Sequence, residues 1–427
     1  MTRKDPSLLL TSILSTIARF AGVGLNFVVA ITLTRTLPMD EAGMVFMLMT
    51  LVTGVSLFSR MGVEQWLVRD VARIQETATD QQGMHLRAAY RLVLVSSGVF
   101  MLGWLVFAPL SQHWLFDDAI RMPPLLLAGG GILFFNLVML NSSFLKAIRH
   151  TSESILVQNS LPAVAYMLLI LAFWPVFREN QHYLLLYTAS LLLAGVASFH
   201  WLRPWWHCLH PTQSGHFSVR DVLAQSLPLA PVSFFSFLML WADTLLTGLL
   251  LNNADVALFT VAARLSFVSL FFLGALDATI YPRLLKIHKH QPEQLARFFW
   301  QATGLVAGVL GAVTLLLLLL GDTLLAVFKP EYVQAGGTLA ILLAAQLARA
   351  LSLTFSFMFI IQEQVRHLNI MLGMALVVNI IANLLLIPAY GIEGAASATL
   401  VANLALTSGV AALFFKNHLL GKHDGVL

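Results

Sequence analysis

Four arginines lie inside long apolar stretches of this chain, where a fixed positive charge is energetically expensive. Around Arg19, steps of three and four residues reach Ser12, Ser15, Gly22 and Asn26, so a helix would carry them as one polar stripe. An arginine at the centre of a membrane helix costs from about 2.5 to more than 10 kcal/mol and usually faces a bundle interior or an aqueous cavity. The stripe predicts a cavity lined by Arg19, Ser15 and Asn26. In the alternative interpretation, Arg19 forms hydrogen bonds that hold neighbouring helices together.

Arg349 repeats this pattern, because Gln346, Ser352 and Ser356 lie on the same predicted helix face. We expect Arg349 and Gln346 to line the same cavity. Arg60 lies nearer the end of its apolar stretch, where it can bind a substrate near the cavity entrance, reach lipid headgroups, or pair with Glu64 one helical turn later.

Asp243 and Arg264 lie about eight residues before and after a predicted helix turn, at the same depth of roughly 12 Å. One interpretation is a structural ion pair across this hairpin. The other makes Asp243 a proton or cation site whose occupancy releases Arg264 for an anionic substrate. Both interpretations can hold together.

Arginine is well suited to phosphate, because its planar guanidinium offers paired donors to phosphate oxygens. No lysine falls within the predicted spans. Arg19, Arg349, Arg264 and Arg60 therefore predict a site for an anion that carries phosphate-like oxygens. Other polar and aromatic candidates for the cavity wall, each of which fits helix packing better, are Asn26, Asn136, Asn141, Gln346, Trp241 and Tyr166.

Composition places these residues in a membrane. The 427 residues are 58% hydrophobic and 11% charged, and mean hydropathy is +0.80. Apolar runs long enough to cross a bilayer recur throughout. We predict an all-α protein with six spans in residues 1–203, a cytoplasmic linker over 204–225, and six spans in 226–427. The predicted spans are 8–34, 42–63, 90–112, 123–145, 154–177, 182–203, 226–251, 256–280, 298–320, 333–360, 367–388 and 393–415.

Positive charge predicts the orientation of these spans. Apart from Arg19, Arg60, Arg264 and Arg349, the other 21 of the 25 lysines and arginines lie in loops or at the ends of spans and divide seventeen to four between the two sides. The richer side, which also holds both termini, is therefore predicted to be cytoplasmic. Its residues are Arg3, Lys4, Arg69, Arg73, Arg87, Arg91, Lys146, Arg149, Arg203, Arg220, Arg283, Lys286, Lys289, Arg297, Arg366, Lys416 and Lys422; the opposite side has Arg35, Arg121, Arg178 and Lys329.

Three segments carry a family resemblance. Leu227–Leu265 resembles the seventh and eighth helices of polysaccharide transporters in the multidrug/oligosaccharidyl-lipid/polysaccharide exporter superfamily. Val377–Asn403 resembles its eleventh and twelfth helices, and LTRTLPMDEAG at Leu33–Gly43 extends the similarity. The resemblance implies twelve helices in two six-helix lobes around a central cavity. Ala257 departs from the glycine that the family more often has there.

The subgroup that this chain resembles is the Wzx-type flippases. They move undecaprenyl-diphosphate-linked oligosaccharides across the bacterial inner membrane, for O-antigen, capsule or exopolysaccharide biosynthesis. The resemblance implies a lipid-linked oligosaccharide substrate. Arg19, Arg349 and Arg264 would hold its diphosphate, with Arg60 near the entry, and the polar and aromatic wall would contact its glycan. The resemblance also implies membrane lipids as partners, coupling to an H⁺ or Na⁺ gradient, and association with the glycan polymerase and chain-length machinery. It implies no nucleic-acid partner and no enzymatic catalysis.

Two other functions fit the sequence less well. A cation-coupled exporter of small molecules would favour an acidic cavity, and a membrane glycosyltransferase or glycan polymerase would favour a sizeable external loop. Cofactor and metal sites are not predicted. His207, Cys208, His210 and His216 lack zinc-site spacing, and the three glycines at 129–131 are not followed by a phosphate-loop lysine.

Overall fold

The computed structural model is helical throughout the residues it describes, which are 8–74, 79–116, 118–177, 179–203 and 218–420. No β-strand occurs within these ranges. The linker histidines and Cys208 lie outside the described residues. The N-terminal half contains α1 (Leu8–Thr36), α2 (Met39–Arg60), α3 (Val63–Ile74), α4 (Thr79–Phe116), α5 (Met122–Ala147), α6 (Thr151–Ile155), a π-helical turn (Leu156–Ser160), α7 (Leu161–Ala172) and α8 (His182–Leu202).

The C-terminal half begins with a short helix, whose capping box joins Ser218 and Asp221. A 3₁₀ turn containing Pro228 separates this helix from the next membrane helix. The helices are α9 (Val219–Ser226), α10 (Ala230–Leu250), α11 (Asn253–Ser266), α12 (Val268–His290), α13 (Leu295–Leu319), α14 (Gly321–Phe328), α15 (Gly336–Ile361) and α16 (Val365–Leu420).

The last helix is two membrane helices joined by a tight turn. A straight helix of 56 residues would extend roughly 84 Å, far beyond the ~30 Å hydrocarbon core. Gly391 breaks it with φ 58° and ψ −136°, and a Cβ on Gly394 would lie 2.1 Å from Leu386 O, so the chain doubles back. The described residues hold eleven helical stretches that can cross a membrane, and this one crosses twice. Twelve crossings result, as predicted.

Two short helices were not predicted from the sequence. In α3, Val63, Trp66, Leu67 and Val71 are buried on one face, while Arg69 and Arg73 lie on the other. This amphipathic pattern is typical of a helix that lies along a membrane surface. The second is α9, which occupies the end of the predicted linker. Both are too short to count as spans, so hydropathy alone missed them.

The chain forms two compact units. The N-terminal unit comprises the described residues up to Leu37 together with Met44–Phe237, and the C-terminal unit comprises Pro38–Gly43 and the residues from Leu238 onward. Two helices therefore divide between units: α2 near its start and α10 after its first two turns. Residues 226–237, which the sequence grouped with the second lobe, pack with the first unit.

Candidate functional site

Asp243 lies in the membrane-spanning part of α10, and the residue is only 8% exposed. Three neutral side chains donate hydrogen bonds to its carboxylate. Asn379 Nδ2 lies 2.9 Å from Oδ1, Asn383 Nδ2 lies 2.7 Å from the same oxygen, and Thr399 Oγ1 lies 2.5 Å from Oδ2. Both carboxylate oxygens thus have protein partners, and these partners are uncharged.

The doubled helix α16 supplies all three donors. Asn379 and Asn383 are one turn apart on its first half, and Asn383 Nδ2 also lies 2.9 Å from the carbonyl oxygen of Asn379. Thr399 lies on the second half and reaches the same carboxylate because the chain turns back at Gly391. The turn is therefore what assembles the cluster.

This cluster has the chemistry of a proton or hard-cation site. A buried carboxylate that faces only neutral partners is costly, and a bound proton or cation would relieve that cost. Asn383 Oδ1 is buried and accepts no hydrogen bond, so it can serve as a ligand. Carboxylate, amide and hydroxyl oxygens suit hard cations. The described residues hold no group of three His, Cys, Asp or Glu side chains that would suit a transition metal.

A narrow cavity adjoins the cluster within the C-terminal unit and holds about 30 Å³ of free volume. Arg264 lines it from α11, and Arg349 and Gln346 line it from α15, one helical turn apart. Gln346 Oε1 is buried and accepts no hydrogen bond. Two guanidinium groups, one carboxylate and an available amide oxygen therefore share one membrane-embedded cavity.

This cavity brings together the four C-terminal residues that the sequence predicted for the site, namely Asp243, Arg264, Arg349 and Gln346. Their relation differs from the expected one. Arg264 is not among the hydrogen-bond partners of Asp243, whose carboxylate bonds to α16 instead. Ser352 and Ser356, predicted to extend the polar face, donate to carbonyl oxygens of their own helix.

Arg60 lies in a buried network of the N-terminal unit. Its Nε is 2.9 Å from Glu64 Oε2, as the i,i+4 spacing predicted, and Nη1 donates to Asn136 Oδ1 at 2.9 Å. Asn136 donates in turn to Ser59 and Ser97. With 5% side-chain exposure, Arg60 serves first to hold α2, α4 and α5 together.

Arg19 is exposed on α1, between residues that pack against the α6–α7 segment. Ser15 Oγ is 3.1 Å from Ser152 Oγ, and Asn26 Nδ2 donates to Asn159 O at 3.0 Å. Ser15 and Asn26 thus take the anchoring role that the sequence left open. The side chain of Arg19 itself is exposed.

The other predicted wall residues divide between the units. Asn141 bonds to Tyr90 and Ser198, and Tyr166 donates to Tyr183 O, so both serve packing in the N-terminal unit. Trp241 lines the C-terminal cavity.

Sequence reasoning missed Asn379, Asn383 and Thr399. A signal was present, because NIIAN places two asparagines at i and i+4 within a long apolar run.

A family model described as "Polysaccharide biosynthesis protein" matches residues 9–288. Solved structures show the fold. An inward-facing multidrug resistance MATE family transporter of the MOP superfamily is 14% identical, with a TM-score of 0.71 over 96% of this chain and 100% of its own. The lipid II flippase MurJ, in an inward closed conformation, is 11% identical, with a TM-score of 0.71 over 98% and 94%.

A MOP superfamily transporter from Pyrococcus furiosus is 12% identical, with a TM-score of 0.58 over 96% of this chain and 95% of its own. None of the curated proteins matches this chain. The similar structures divide into two lobes, and their names describe transporters and flippases rather than enzymes.

Proposed function

The chain belongs to the polysaccharide biosynthesis protein family, and from that premise we propose that it flips a polyprenyl-diphosphate-linked oligosaccharide across the bacterial inner membrane. The polyprenyl group would be undecaprenyl, and the glycan would serve O-antigen, capsule or exopolysaccharide biosynthesis. The single observation that carries this proposal is the membrane-embedded cavity in which Arg264 and Arg349 lie together. A structurally similar protein is named a lipid II flippase, which supports a lipid-linked substrate.

The two arginines would hold the diphosphate. Guanidinium groups form paired, charge-assisted hydrogen bonds to phosphate oxygens, and a site of low dielectric strengthens them. The free volume of about 30 Å³ is too small for a diphosphate. We infer that the cavity opens to receive the headgroup, as alternating access requires, while the prenyl tail stays in lipid.

Asp243 would couple this movement to an ion gradient. Proton or Na⁺ binding neutralises the buried carboxylate, so occupancy would change the field that Arg264 and Arg349 experience. Asn379, Asn383 and Thr399 would hold the cation together with Asp243. Binding of the ion on one side of the membrane and release on the other would then bias the direction of transport.

Arg19 would add a contact to the diphosphate from the N-terminal unit, since its side chain is exposed on α1. Arg60 would take part only if its ion pair with Glu64 opened, and we assign it to the cavity entrance. Both termini would be cytoplasmic. The glycan polymerase and chain-length machinery would receive the flipped product.

A second candidate function is export of a small organic cation, which the similarity to a multidrug transporter favours. A cationic substrate would approach Asp243 and would be repelled by the two arginines. The two functions therefore predict opposite results for removal of the arginines: flipping of a diphosphate would fall, whereas export of a cation would rise or stay unchanged.

The test is to replace Arg264 and Arg349 singly with alanine and with lysine. We expect each alanine variant to lose about ten- to hundred-fold in activity, the range for one or two charge-assisted hydrogen bonds, and each lysine variant to recover part of it. Surface glycan and lipid-linked oligosaccharide on the cytoplasmic leaflet give the readout. Arg366→Ala, an exposed arginine after α15, is the matched control. Full activity in both alanine variants would exclude the proposed site.

A further inference from the structure

A basic groove lies at the end of α12, well apart from the arginine cavity. Arg283, Lys286 and His290 line it together with Ile287 and Gln291. Positions 283, 286, 287 and 290 fall on one helix face, so the three basic side chains point the same way. None of the described residues that line it is acidic, and Arg283, Lys286 and His290 are all exposed. The groove therefore has one sign of charge and is open to a ligand.

An apolar groove lies on the next helix. Four residues separate the end of α12 from the start of α13. The first turns of α13 form this groove with the end of α15 and the second half of α16. Leu295, Phe299, Trp300, Met358, Phe414 and Phe415 line it. Phe299 stacks on Phe414 with ring centroids 5.1 Å apart, and Trp300 stacks on Phe415 at 6.3 Å.

The two grooves flank one core. Leu284, which follows Arg283, belongs to the same buried cluster as Leu295, Phe299 and Met358. Trp300 is 51% exposed and Phe415 is 46% exposed, although both lie at the end of membrane helices. Tryptophan at such a position is typical of headgroup depth. Three basic side chains and an aromatic groove thus lie on consecutive helices that share one buried cluster.

We propose that this end of the C-terminal unit binds an anionic phospholipid, with its phosphate in the basic groove and an acyl chain along the aromatic groove. Clusters of basic residues at the cytoplasmic end of a membrane helix attract anionic headgroups. A soluble anion would leave the aromatic groove uncovered. Bulk phospholipids greatly outnumber a pathway intermediate in the bilayer, so mass action favours them over the transported lipid. The site is independent of Arg264 and Arg349.

The test is native mass spectrometry of the purified full-length protein titrated with phosphatidylglycerol. Each lysine or arginine near an anionic lipid surface contributes roughly five-fold to binding, so R283Q/K286Q should bind about thirty-fold more weakly. The matched control is K146Q/R149Q, which removes two exposed charges at the end of α5 on the same predicted side. This control should change the binding of phosphatidylglycerol by less than about two-fold.

Three further results decide the proposal. Phosphatidylethanolamine and inorganic phosphate should bind far more weakly than phosphatidylglycerol, and W300A/F415A should weaken phosphatidylglycerol while Arg283 and Lys286 are intact. All variants are compared only when their melting temperatures match the unmodified protein. The proposal is overturned if both charge variants lose binding equally, if neither loses it, or if R283Q/K286Q loses a retained polyprenyl diphosphate and keeps phosphatidylglycerol.

Discussion

Asp243 shows at the scale of one residue how a carboxylate can be placed inside a membrane protein with neutral partners. Its hydrogen bonds come from Asn379, Asn383 and Thr399, and the cavity beside it brings two arginines nearby without making them hydrogen-bond partners of the carboxylate. This arrangement leaves the carboxylate able to exchange a proton or cation, since it is not committed to a permanent ion pair.

Replacing Asp243 with asparagine should remove the response to the coupling ion. If the ion is Na⁺, saturating NaCl should raise the melting temperature of the unmodified protein relative to choline chloride, because a ligand that binds at 100 times its Kd stabilises by about 2.7 kcal/mol. Asp243→Asn should show no such increase. If the ion is H⁺, Na⁺ should have no effect, and lowering the pH should stabilise only the unmodified protein.

The matched control is Asp322→Asn, which removes an exposed carboxylate from α14 and should keep the response. An unchanged response to Na⁺ and to pH in Asp243→Asn would place the coupling site elsewhere.

The sequence predicted some of these side-chain contacts and missed others. The pairing of Arg60 with Glu64 was accessible from the sequence because it depends on one helical turn. The partners of Asp243 were not, since they lie 136 to 156 residues away and meet it only after α16 doubles back. Polar residues in apolar runs can be found from the sequence, but their partners depend on which helices pack together.

At the scale of elements, the corner between α2 and α3 packs closely against the end of α9 and the start of α10. Met61 and Gly62 have positive φ values of 48° and 77°. A Cβ on Gly62 would lie 2.4 Å from Ser226 O and 2.7 Å from Ala230 N, so only glycine fits against the start of α10. Two residues later, Glu64 accepts a hydrogen bond from Ser233 Oγ at 3.3 Å.

Gly62→Ala should therefore destabilise the protein by about 1–3 kcal/mol, the usual cost of a strained backbone position, and by more if the helices must separate. The measurement is thermal unfolding of the purified protein in detergent. Gly98→Ala is the control, because Gly98 lies within α4 with open space where the methyl group would be. We expect that change to be neutral or slightly stabilising. Equal melting temperatures for both variants would contradict this account of the corner.

The long membrane helices were predictable because each needs about twenty apolar residues. The helices α3 and α9 were not predicted, because each is short and buries only part of its surface. Two irregular points of the helices coincide with prolines: Pro162 follows the π-helical turn, and Pro228 lies in the 3₁₀ turn.

At the scale of the whole molecule, twelve crossings and the asymmetry of positive charge together predict which ends of the helices face the cytoplasm. The count follows from the turn at Gly391, since a single helix there would leave eleven crossings and put the termini on opposite sides. Orientation itself is a prediction from the charges.

Cysteine labelling tests this prediction, because Cys208 is the single native cysteine and can be replaced by serine. In that background, Glu331→Cys should react with a membrane-impermeant maleimide in intact cells. Lys286→Cys should react only after the inner membrane is opened. Both original side chains are exposed, so access to the reagent depends on the side of the membrane. The reverse pattern would invert the orientation, and equal labelling would disprove the number of crossings between them.

The division of α2 and α10 between the two units affects whether the two halves of the chain can be separated. Each half of the sequence contributes a short segment to the unit formed mainly by the other half. Pro38–Gly43 packs with the later helices, where a Cβ on Gly43 would clash with Asn253 O. Residues 218–237 pack with the earlier helices. A cut in the linker would therefore produce two fragments that each lack part of their own core. We therefore expect each fragment to need the other to complete its packing.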